Sequence, residues 1–399
     1  MAEGDVRLQD RPTFDGVGRQ VQQTVVALVI DAVYPYSRGG RELRYHELTR
    51  RLADRATVHV FTMRWWEGPR ILTEGNVTFH GITRLHPMYA KRRRSIRQAV
   101  FFALACLRLA WHDFDVLEAD HIPYLPLLVL RLIATLKRKR FVVTWHEVWG
   151  LSYWRKYLGW LGYGAWLIEW LSMHLPDHIV AASEQTADRL AAVLRSRAQI
   201  TVAPNGIDLE TIRAAHADAA STDIIAVGRL MAHKRVDLLL EAIAALRGWG
   251  IPVTGRIVGD GPDKAALHDQ AEFLGISPFV EFRHDVEKQE EIYGLIKSAR
   301  VFVSPSAREG FGIAVLEALA CGVKVVTTDS PDNLSQYLVA RSANGVICRP
   351  SPTALAKTIM DLLKDPVSTS HGQVIDSWLV DYSWEEMTSQ VIAALELEC

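Results

Sequence analysis

The stretch DIIAVGRLMAHKRVDLLLEAIAALRGW, residues 223–249, contains a strand, a loop and a helix in that order. After Asp223, residues 224–227 form an apolar run of strand length, and the pattern over residues 235–249 is helical. A strand, a helix and a further strand in succession form a right-handed crossover between parallel strands. The stretch therefore predicts one unit of a parallel α/β sheet.

Units of this kind recur along the chain in two series. Helical patterns such as residues 40–55 separate the apolar runs of the first series, which are 24–30, 56–63, 114–120, 140–146 and 177–183. The second series begins near residue 199 and contains QITVAPNG, DIIAVGR, TGRIVGDG, PFVEFRHDV, RVFVSPS and VKVVTTD. Two series predict two doubly wound α/β domains that face each other across a cleft, where ligands bind beyond the carboxyl ends of the strands.

The length of 399 residues also favours two domains, at about 100–200 residues each. The last segment opens with the capping-box pattern Ser383-x-x-Glu386 and is predicted to be a helix that packs back on the first domain. The predicted parts are a flexible tail, two domains and this helix, at residues 1–22, 23–197, 198–375 and 376–399.

Composition excludes several classes of protein. A formal net charge of −1 argues against general nucleic-acid binding. No secretory signal opens the sequence, and the four cysteines form no CxxC pair, so we expect a reducing cytoplasm and neither a structural zinc nor a disulfide framework. The cysteines are Cys106, Cys321, Cys348 and Cys399.

Two cations lie in the loop of the opening stretch. Arg229 and Lys234 follow a strand, so their side chains are expected over the carboxyl edge of the sheet. There they suit a pyrophosphate, because arginine binds two oxygens at once and lysine acts as a point charge. A solvated pair at a loop is the alternative. The turn VGDGP, with Gly259 and Gly261, also follows a strand and is a weak signal alone.

The stretch SAREGFGIAVLEALACG, residues 306–322, is more informative. Gly310-Phe311-Gly312 leads from a strand into a helix that starts near Ile313, and the N-terminus of a helix binds anions. The glycines allow the backbone to approach a ligand. Glu309 and Glu317 flank this site, and carboxylates bind sugar hydroxyls well. We expect Glu317 to face the cleft from the early turns of the helix.

Together these segments resemble a known family. The second half of the chain looks like the nucleotide-sugar domain of retaining glycosyltransferases of family 4, which have the GT-B fold of two Rossmann-like domains. The segments that carry this resemblance are GRLMAHKRVDLLLEAIA, IVGDGP and SPSAREGFGIAVLEALACGVKVVTTD. The E-x7-E element matches as Glu309 and Glu317, and the Arg-x4-Lys pair matches as Arg229 and Lys234. The resemblance covers most of residues 20–399 and is strongest in the second half.

The resemblance implies roles for residues in both domains. Gly39 and Gly40 of YPYSRGGREL would let that loop approach the donor phosphates, and His146 of TWHEVWG would touch the donor sugar rather than merely end a strand. The base would lie near residues 281–286. The implied donor-binding residues are Gly39, Gly40, Gly228, Arg229, Lys234, Gly259, Gly261, Arg283, Glu309, Gly310, Phe311, Gly312, Ile313 and Glu317. The implied catalytic residues are Glu309, His146, Arg229 and Lys234.

The implied activity is retaining transfer of a sugar from a UDP- or GDP-sugar to a hydroxyl acceptor, which could be a glycan, a lipid-linked or a small natural-product acceptor. No DxD-type signature stands out, so we expect no metal and no cofactor. Arg229, Lys234 and the helix dipole would neutralise the leaving group. An epimerase or hydrolase on the same fold, and a non-catalytic binding subunit, are the alternatives. A dehydrogenase is disfavoured, because no GxGxxG follows the first strand.

An aromatic-rich segment, residues 151–176, bears on partners. With the basic and apolar segments 91–112 and 136–140, it could form a surface for an anionic membrane, peripheral to the inner face. Buried crossover helices with solvated basic ends are the favoured interpretation. A homodimer is compatible with either.

Overall fold

The computed structural model describes residues 13–14, 20–21, 23–90, 93–196, 199–364 and 376–397. Two sheets that are almost wholly parallel form the centre of the molecule, so the predicted α/β class is confirmed. The predicted tail, residues 1–22, lies outside the described residues except for a pair of two-residue strands, 13–14 and 20–21. The predicted boundaries at 197–198 and at 375, as well as Cys399, also lie outside them.

The first sheet has eight strands in the order β8-β7-β6-β5-β1-β2-β4-β3, and only β3 runs antiparallel to its neighbour. Its strands are β1 (Val25–Val29), β2 (Thr57–Arg64), β3 (Ile71–Glu74), β4 (Val77–Arg84), β5 (Val116–Asp120), β6 (Arg140–Trp145), β7 (His178–Ala181) and β8 (Ile200–Val202).

The second sheet has six parallel strands in the order β11-β10-β9-β12-β13-β14. Its strands are β9 (Thr222–Val227), β10 (Gly255–Val258), β11 (Val280–Arg283), β12 (Ala299–Ser304), β13 (Lys324–Thr328) and β14 (Gly345–Cys348). In both sheets the chain order reverses next to the first strand, which is the switch point where doubly wound sheets open a crevice.

One sequence-based expectation about strands is wrong, and one pair of strands was not predicted. Strand β8 was expected to start the second domain, but Ile179 to Ala181 of β7 pair with Ile200 to Val202, so β8 is the edge of the first sheet. An apolar run does not specify the sheet to which it belongs. The hairpin of β3 and β4 was not predicted, because it alternates apolar and polar residues around a short turn and contains no long apolar run.

Helices cover both faces of each sheet. Those of the first half are α1 (Gly40–Leu52), α2 (Ile96–Cys106), α3 (Leu125–Lys137), α4 (Gly150–Leu158), α5 (Gly162–Met173) and α6 (Glu184–Leu194). Those of the second half are α7 (Leu209–Ala214), α8 (Val236–Gly248), α9 (Lys264–Phe273), α10 (Gln289–Lys297), α11 (Ile313–Ala320), α12 (Ser335–Arg341), α13 (Pro352–Lys364) and α14 (Trp384–Leu395).

The last helix crosses back over the molecule. Its N-cap is Ser383, whose hydroxyl accepts from the Glu386 N–H at 3.1 Å, so the predicted helix start is confirmed. Trp384, Met387 and Val391 are buried in one apolar cluster with residues of α1 and of the first sheet. Burial of this side of α14 joins the end of the chain to the first domain.

The carboxyl ends of the central strands of both sheets face the space between the domains. Arg229 follows β9, Glu309 follows β12, and His146 follows β6. Direct contacts bridge this space: a Cβ atom on Gly310 would lie 2.8 Å from the carbonyl oxygen of His146. The loops that carry His146 and Gly310 therefore meet between the two domains.

Candidate functional site

The carboxyl edge of the second sheet opens into a cleft of about 440 Å³. The loops after β9 and β12 and the first turn of α11 form its walls. Of the predicted residues, those that line it are Gly228, Arg229, Lys234, Glu309 and Gly312. This is the arrangement expected for a ligand at the switch point of a parallel sheet.

Lys234 and Glu309 form an ion pair in the cleft. Glu309 also accepts from the Ser306 hydroxyl at 3.4 Å, and the Lys234 side chain remains a quarter exposed. His233 lies beside Lys234; its burial, together with Arg308, Lys234 and Arg229, lowers the pKa of the imidazole to about 2. The histidine is thus neutral at physiological pH, in a strongly positive environment.

The N-terminus of α11 points into the same cleft. Its N-cap, Gly312, has φ of +99°, and a Cβ atom there would lie 2.5 Å from Cβ of Ser335. Both facts require glycine at this position. The first N–H that bonds within the helix is that of Leu316, which donates to Gly312, so three earlier N–H groups have no partner within the helix. The cleft thus combines two cations with a helix N-terminus.

Arg229 crosses the cleft to the loop before α1. Its guanidinium donates to the carbonyl oxygen of Arg38 at 2.9 Å and to the Tyr89 hydroxyl at 3.2 Å, and it lies 3.9 Å from Glu42. A Cβ atom on Gly39 would lie 2.9 Å from this guanidinium. The glycine loop of the first domain and the cationic loop of the second domain are therefore in direct contact.

Sequence reasoning missed a carboxylate opposite this loop. Asp120 ends β5, and its Oδ2 lies 3.3 Å from Nε2 of His146. Burial alone would raise the pKa of Asp120, but the Arg41 guanidinium, 3.3 Å from Oδ1, and the imidazoles of His121 and His146 beside it hold that pKa well below its usual range. The sequence does contain a signal for Asp120. It ends the apolar run FDVLEAD, and a polar residue at the carboxyl end of a central strand lies at the cleft.

Asp120, His121 and His146 also carry the right donor atoms for a metal ion, and these atoms lie within 4.8 Å of one another. However, Arg41 already supplies a positive charge to the Asp120 carboxylate, and it also binds Asp31 at 2.7 Å. A metal ion at this place would face a largely buried guanidinium. The charges present therefore fit a metal ion poorly.

Glu317 does not lie where the sequence suggested. It is 4% exposed and is absent from the walls of the cleft, because α10 packs over it. Gln289 donates to its Oε1 at 2.6 Å and the Tyr293 hydroxyl donates at 3.2 Å. Burial raises the pKa of Glu317 to about 7, and these two bonds only partly oppose the rise. The expectation that Glu317 faces the cleft is wrong.

Three more predicted donor residues, Gly259, Gly261 and Arg283, are not among the residues that line the cleft. A Cβ atom on Gly259 would lie 2.0 Å from the carbonyl oxygen of Gly228, and one on Gly261 would lie 2.3 Å from that of Leu230. These glycines thus let the loops after β9 and β10 touch. Arg283 is bound to Asp285 and Glu291 rather than directed to the cleft.

The remaining predicted residues support the walls. Phe311 is buried in the core of the second domain, where its ring lies 5.8 Å from that of Tyr382. Gly40 approaches Ile313 across the cleft, and a Cβ atom on Gly40 would lie 3.0 Å from Cδ1 of Ile313. The approach of Gly40 to Ile313 is thus a second contact between the two domains.

Two protein-family models match this chain. A family model described as glycosyltransferase family 4 matches residues 38–211, and one described as glycosyl transferases group 1 matches residues 209–374. Together the two models match most of the chain. The chain belongs to glycosyltransferase family 4.

Relatives in this family act on sugars. A GDP-mannose-dependent alpha-(1-6)-phosphatidylinositol dimannoside mannosyltransferase of Mycobacterium tuberculosis is 32% identical over 172 residues, 41% of this chain and 43% of that protein. A GDP-mannose:cellobiosyl-diphosphopolyprenol alpha-mannosyltransferase of Komagataeibacter xylinus is 32% identical over 190 residues, 46% of each chain. The matched part of this chain spans less than half the length of these relatives.

Solved structures show the fold over nearly the whole chain. Sucrose-phosphate synthase from Thermosynechococcus elongatus matches with a TM-score of 0.76 at 20% identity, over 92% of this chain and 97% of that one. HepE of Anabaena, in complex with UDP-glucose, matches with a TM-score of 0.70 at 17% identity, over 93% and 99%. The predicted GT-B fold is thereby confirmed.

Proposed function

We propose that the chain is a retaining, metal-independent glycosyltransferase that moves a sugar from a UDP- or GDP-linked donor to a hydroxyl acceptor. One observation carries the proposal: Arg229, Lys234 and the N-terminus of α11 converge on one cleft, and Gly310, next to Glu309, meets the backbone of His146 of the other domain, which lies beside Asp120. Cations and free backbone N–H groups suit a diphosphate, and carboxylate and imidazole groups suit a sugar.

The diphosphate binds at the second domain. Its oxygens take the place of Glu309 on Lys234 and accept from the N–H groups at the start of α11. Glu309, released from Lys234, then accepts from hydroxyls of the donor sugar. The ion pair of Lys234 and Glu309 thus places both side chains where the diphosphate and the donor sugar meet.

The sugar lies between the two sheets. Here His146 and Asp120 face it from the first domain, while Glu309 faces it from the second. The acceptor oxygen bonds to the anomeric carbon on the face from which the phosphate departs, as the bond to the phosphate oxygen breaks. The acceptor proton passes to that phosphate oxygen, so no separate general base is required. Arg229, Lys234 and the helix dipole stabilise the charge that develops.

The relatives support the substrate classes. GDP-mannose is the donor in both names above, and the acceptors named there are a phosphoinositide glycolipid and a polyprenol-linked glycan. HepE was solved with UDP-glucose. We therefore propose a GDP- or UDP-sugar as donor, and a glycan or lipid-linked hydroxyl as acceptor.

Isothermal calorimetry with UDP, GDP, UDP-glucose and GDP-mannose tests the donor half of the proposal. One diphosphate series should bind to the purified chain with one site, and the matching sugar nucleotide should be consumed when an acceptor is added. The configuration of the new bond is then read by NMR. Lys357→Ala is a suitable control variant, because Lys357 is exposed on α13 away from the cleft. Absence of binding for all four compounds would refute the donor assignment.

A further inference from the structure

Three neighbouring helices on one side of the first sheet have apolar residues on both of their faces. Helices α2, α3 and α5 bury their inner sides in a single cluster against the sheet, through residues such as Phe102, Leu130 and Met173. Because all three lie on the same side of the sheet, their outer sides form one surface, which we call the outer face. It consists of α2 with the turn 107–111, α3, and α5 with the turn 159–161.

The outer sides of α2 and α3 carry apolar stripes at helical spacing. On α3, Leu128, Leu132 and Leu136 are exposed at intervals of four residues. On α2, Ile96, Val100 and Leu104 repeat the same interval. Residues four apart lie on one side of a helix, so each stripe points away from the core.

The third stripe contains aromatic residues. On α5, Tyr163, Leu167 and Leu171 are exposed at the same interval. Of the large apolar side chains on this outer face, two tryptophans in the turns next to the helices are the most exposed: Trp111 is 81% exposed and Trp160 is 80% exposed. Most of the exposed large apolar side chains of the described chain lie on this outer face. A soluble monomer rarely exposes so many in one continuous patch. The favoured sequence-based interpretation, buried crossover helices, is therefore wrong for the outer sides.

The charges on these helices are of one sign. Helices α2, α3 and α4 contain no acidic residue, and the acidic residue of α5, Glu169, is buried and accepts from the N–H groups of Trp149 and Gly150. Basic side chains are exposed and form no ion pair with a described carboxylate; they are Arg97, Arg108, Arg138, Arg155 and Lys156. Arg97 and Arg155 lie 5.5 Å from the ring centres of Phe101 and Tyr163. Arg131 and Lys137 of α3 pair with Asp177 and Asp113, which lie outside the helices, so basic side chains exceed acidic ones at the border of the patch.

We propose that the outer face binds the surface of an anionic lipid bilayer. Leucine and tryptophan side chains enter the interface between headgroups and acyl chains, while arginine and lysine bind lipid phosphates. Binding is peripheral: among the described residues no helix could cross a membrane, and α5, with 12 residues, is only about 18 Å long.

A second copy of the chain fits this surface less well. A two-fold dimer places the same patch on both sides of the interface, so that the basic border would meet itself. A bilayer that contains anionic lipids offers the opposite charge as well as an apolar layer. Charge complementarity therefore selects the membrane over self-association.

The outer face is connected to the cleft through α4. At its start, Trp149 and Tyr153 contact Arg308, which lies 4.4 and 4.7 Å from their ring centres and directly precedes Glu309. At its other end, the chain turns at Trp160 into α5. A lipid-linked hydroxyl at the bilayer surface would thus be close to the acceptor side of the cleft. The docking itself does not depend on the proposed reaction.

Vesicle flotation tests the inference. The full chain should float with phosphatidylcholine vesicles that contain phosphatidylglycerol, less with pure phosphatidylcholine, and less again at high salt. Leu132→Glu and Trp160→Glu should each reduce the bound fraction strongly, and Arg97→Glu should reduce it at least about fivefold. Phe273→Glu is the matched apolar control, since Phe273 is 90% exposed on α9 of the other domain, and Lys357→Glu is the matched charge control.

Other outcomes of these experiments would overturn the inference that the outer face binds a membrane. Failure of the wild-type chain to float with anionic vesicles overturns the inference, as does an equal loss in the Phe273→Glu control. A dimer in sedimentation equilibrium that Leu132→Glu dissociates, without vesicle binding, would make the outer face a self-association surface. Calorimetry with nucleoside diphosphates separates this inference from the proposed function, because a chain that floats but binds no nucleotide keeps the membrane site and loses the donor site.

Discussion

The two glutamates of the E-x7-E element differ in almost every physical respect. Glu309 lines the cleft and is paired with Lys234, whereas Glu317, eight residues later, is 4% exposed and bonded only to Gln289 and Tyr293. Burial raises the pKa of Glu317 to about 7, so it is partly protonated at neutral pH. One short motif therefore contains a carboxylate held by a cation and a carboxylate held by neutral donors.

Because of this difference, we expect the two glutamates to respond differently to a bound nucleotide. A diphosphate bound to Lys234 would compete with Glu309 for the same ammonium group. Among the described residues, Glu317 has hydrogen bonds to neutral partners and no ion pair. Variants of each residue test this contrast.

The largest effect is expected from Glu309→Gln. The amide cannot replace a carboxylate opposite the developing charge, so turnover should fall by about a hundredfold or more. Nucleoside diphosphate affinity should be kept or increased, because Lys234 loses its competitor. Steady-state rates and calorimetry measure the two quantities. Weaker binding of the bare nucleoside diphosphate, with turnover unchanged, would reverse the roles of the two glutamates.

Lys234→Ala should have the next largest effect. Loss of a charge-assisted bond of about 1.5–3 kcal/mol predicts a rise of about 10- to 150-fold in the dissociation constant of the nucleoside diphosphate. The Lys357→Ala control should bind like the wild type. Unchanged affinity in a folded Lys234→Ala protein would remove the diphosphate from this part of the cleft.

Sequence patterns predicted the two sheets because their central strands are apolar runs that alternate with helices. They did not assign β8 to its sheet, since pairing is a tertiary property. Likewise, the motif located Glu317 on α11, but only the packing of α10 determines that it is buried. The stripes on α2, α3 and α5 were visible as apolar residues, yet which side meets the sheet depends on the neighbouring helices.

Glu317 should also affect stability in a pH-dependent way. Because the folded-state pKa of about 7 lies above the reference value of 4.5, the folded protein holds this proton more tightly. The resulting stability is present below pH 4.5 and is lost as the pH rises through 7, by about 3 kcal/mol in total. Glu317→Gln should therefore show a flatter free energy of unfolding between pH 5 and pH 8 in denaturant titrations. Parallel curves for the two proteins would contradict the buried, protonated state.

A second buried carboxylate, that of Glu118, provides a control that separates effects on folding stability from effects on nucleotide binding. Glu118 is also buried, accepts from Tyr45 and Thr144, and has a pKa raised by burial to about 7. Glu118→Gln should flatten the stability curve in the same way but leave nucleotide affinity unchanged. If Glu317 binds the ribose as a carboxylate, wild-type affinity should rise across pH 6–8 relative to Glu317→Gln, while Glu118→Gln should follow the wild type. The titration of the ligand's own phosphate is common to all three.

The smallest effect is expected from removal of metal ions. Arg229 and Lys234 already supply positive charge where a donor diphosphate would lie, and Arg41 supplies it to Asp120 beside His121 and His146. Turnover in excess EDTA should therefore equal turnover with magnesium, and added zinc should give no activation. Because an ion at the Asp120 cluster would have to share its carboxylate with a guanidinium 3.3 Å away, equilibrium dialysis should find no tightly bound divalent ion. A loss of turnover in EDTA that magnesium restores would contradict this prediction. It would show that a metal ion, and not Arg229 and Lys234 alone, supplies positive charge to the donor diphosphate.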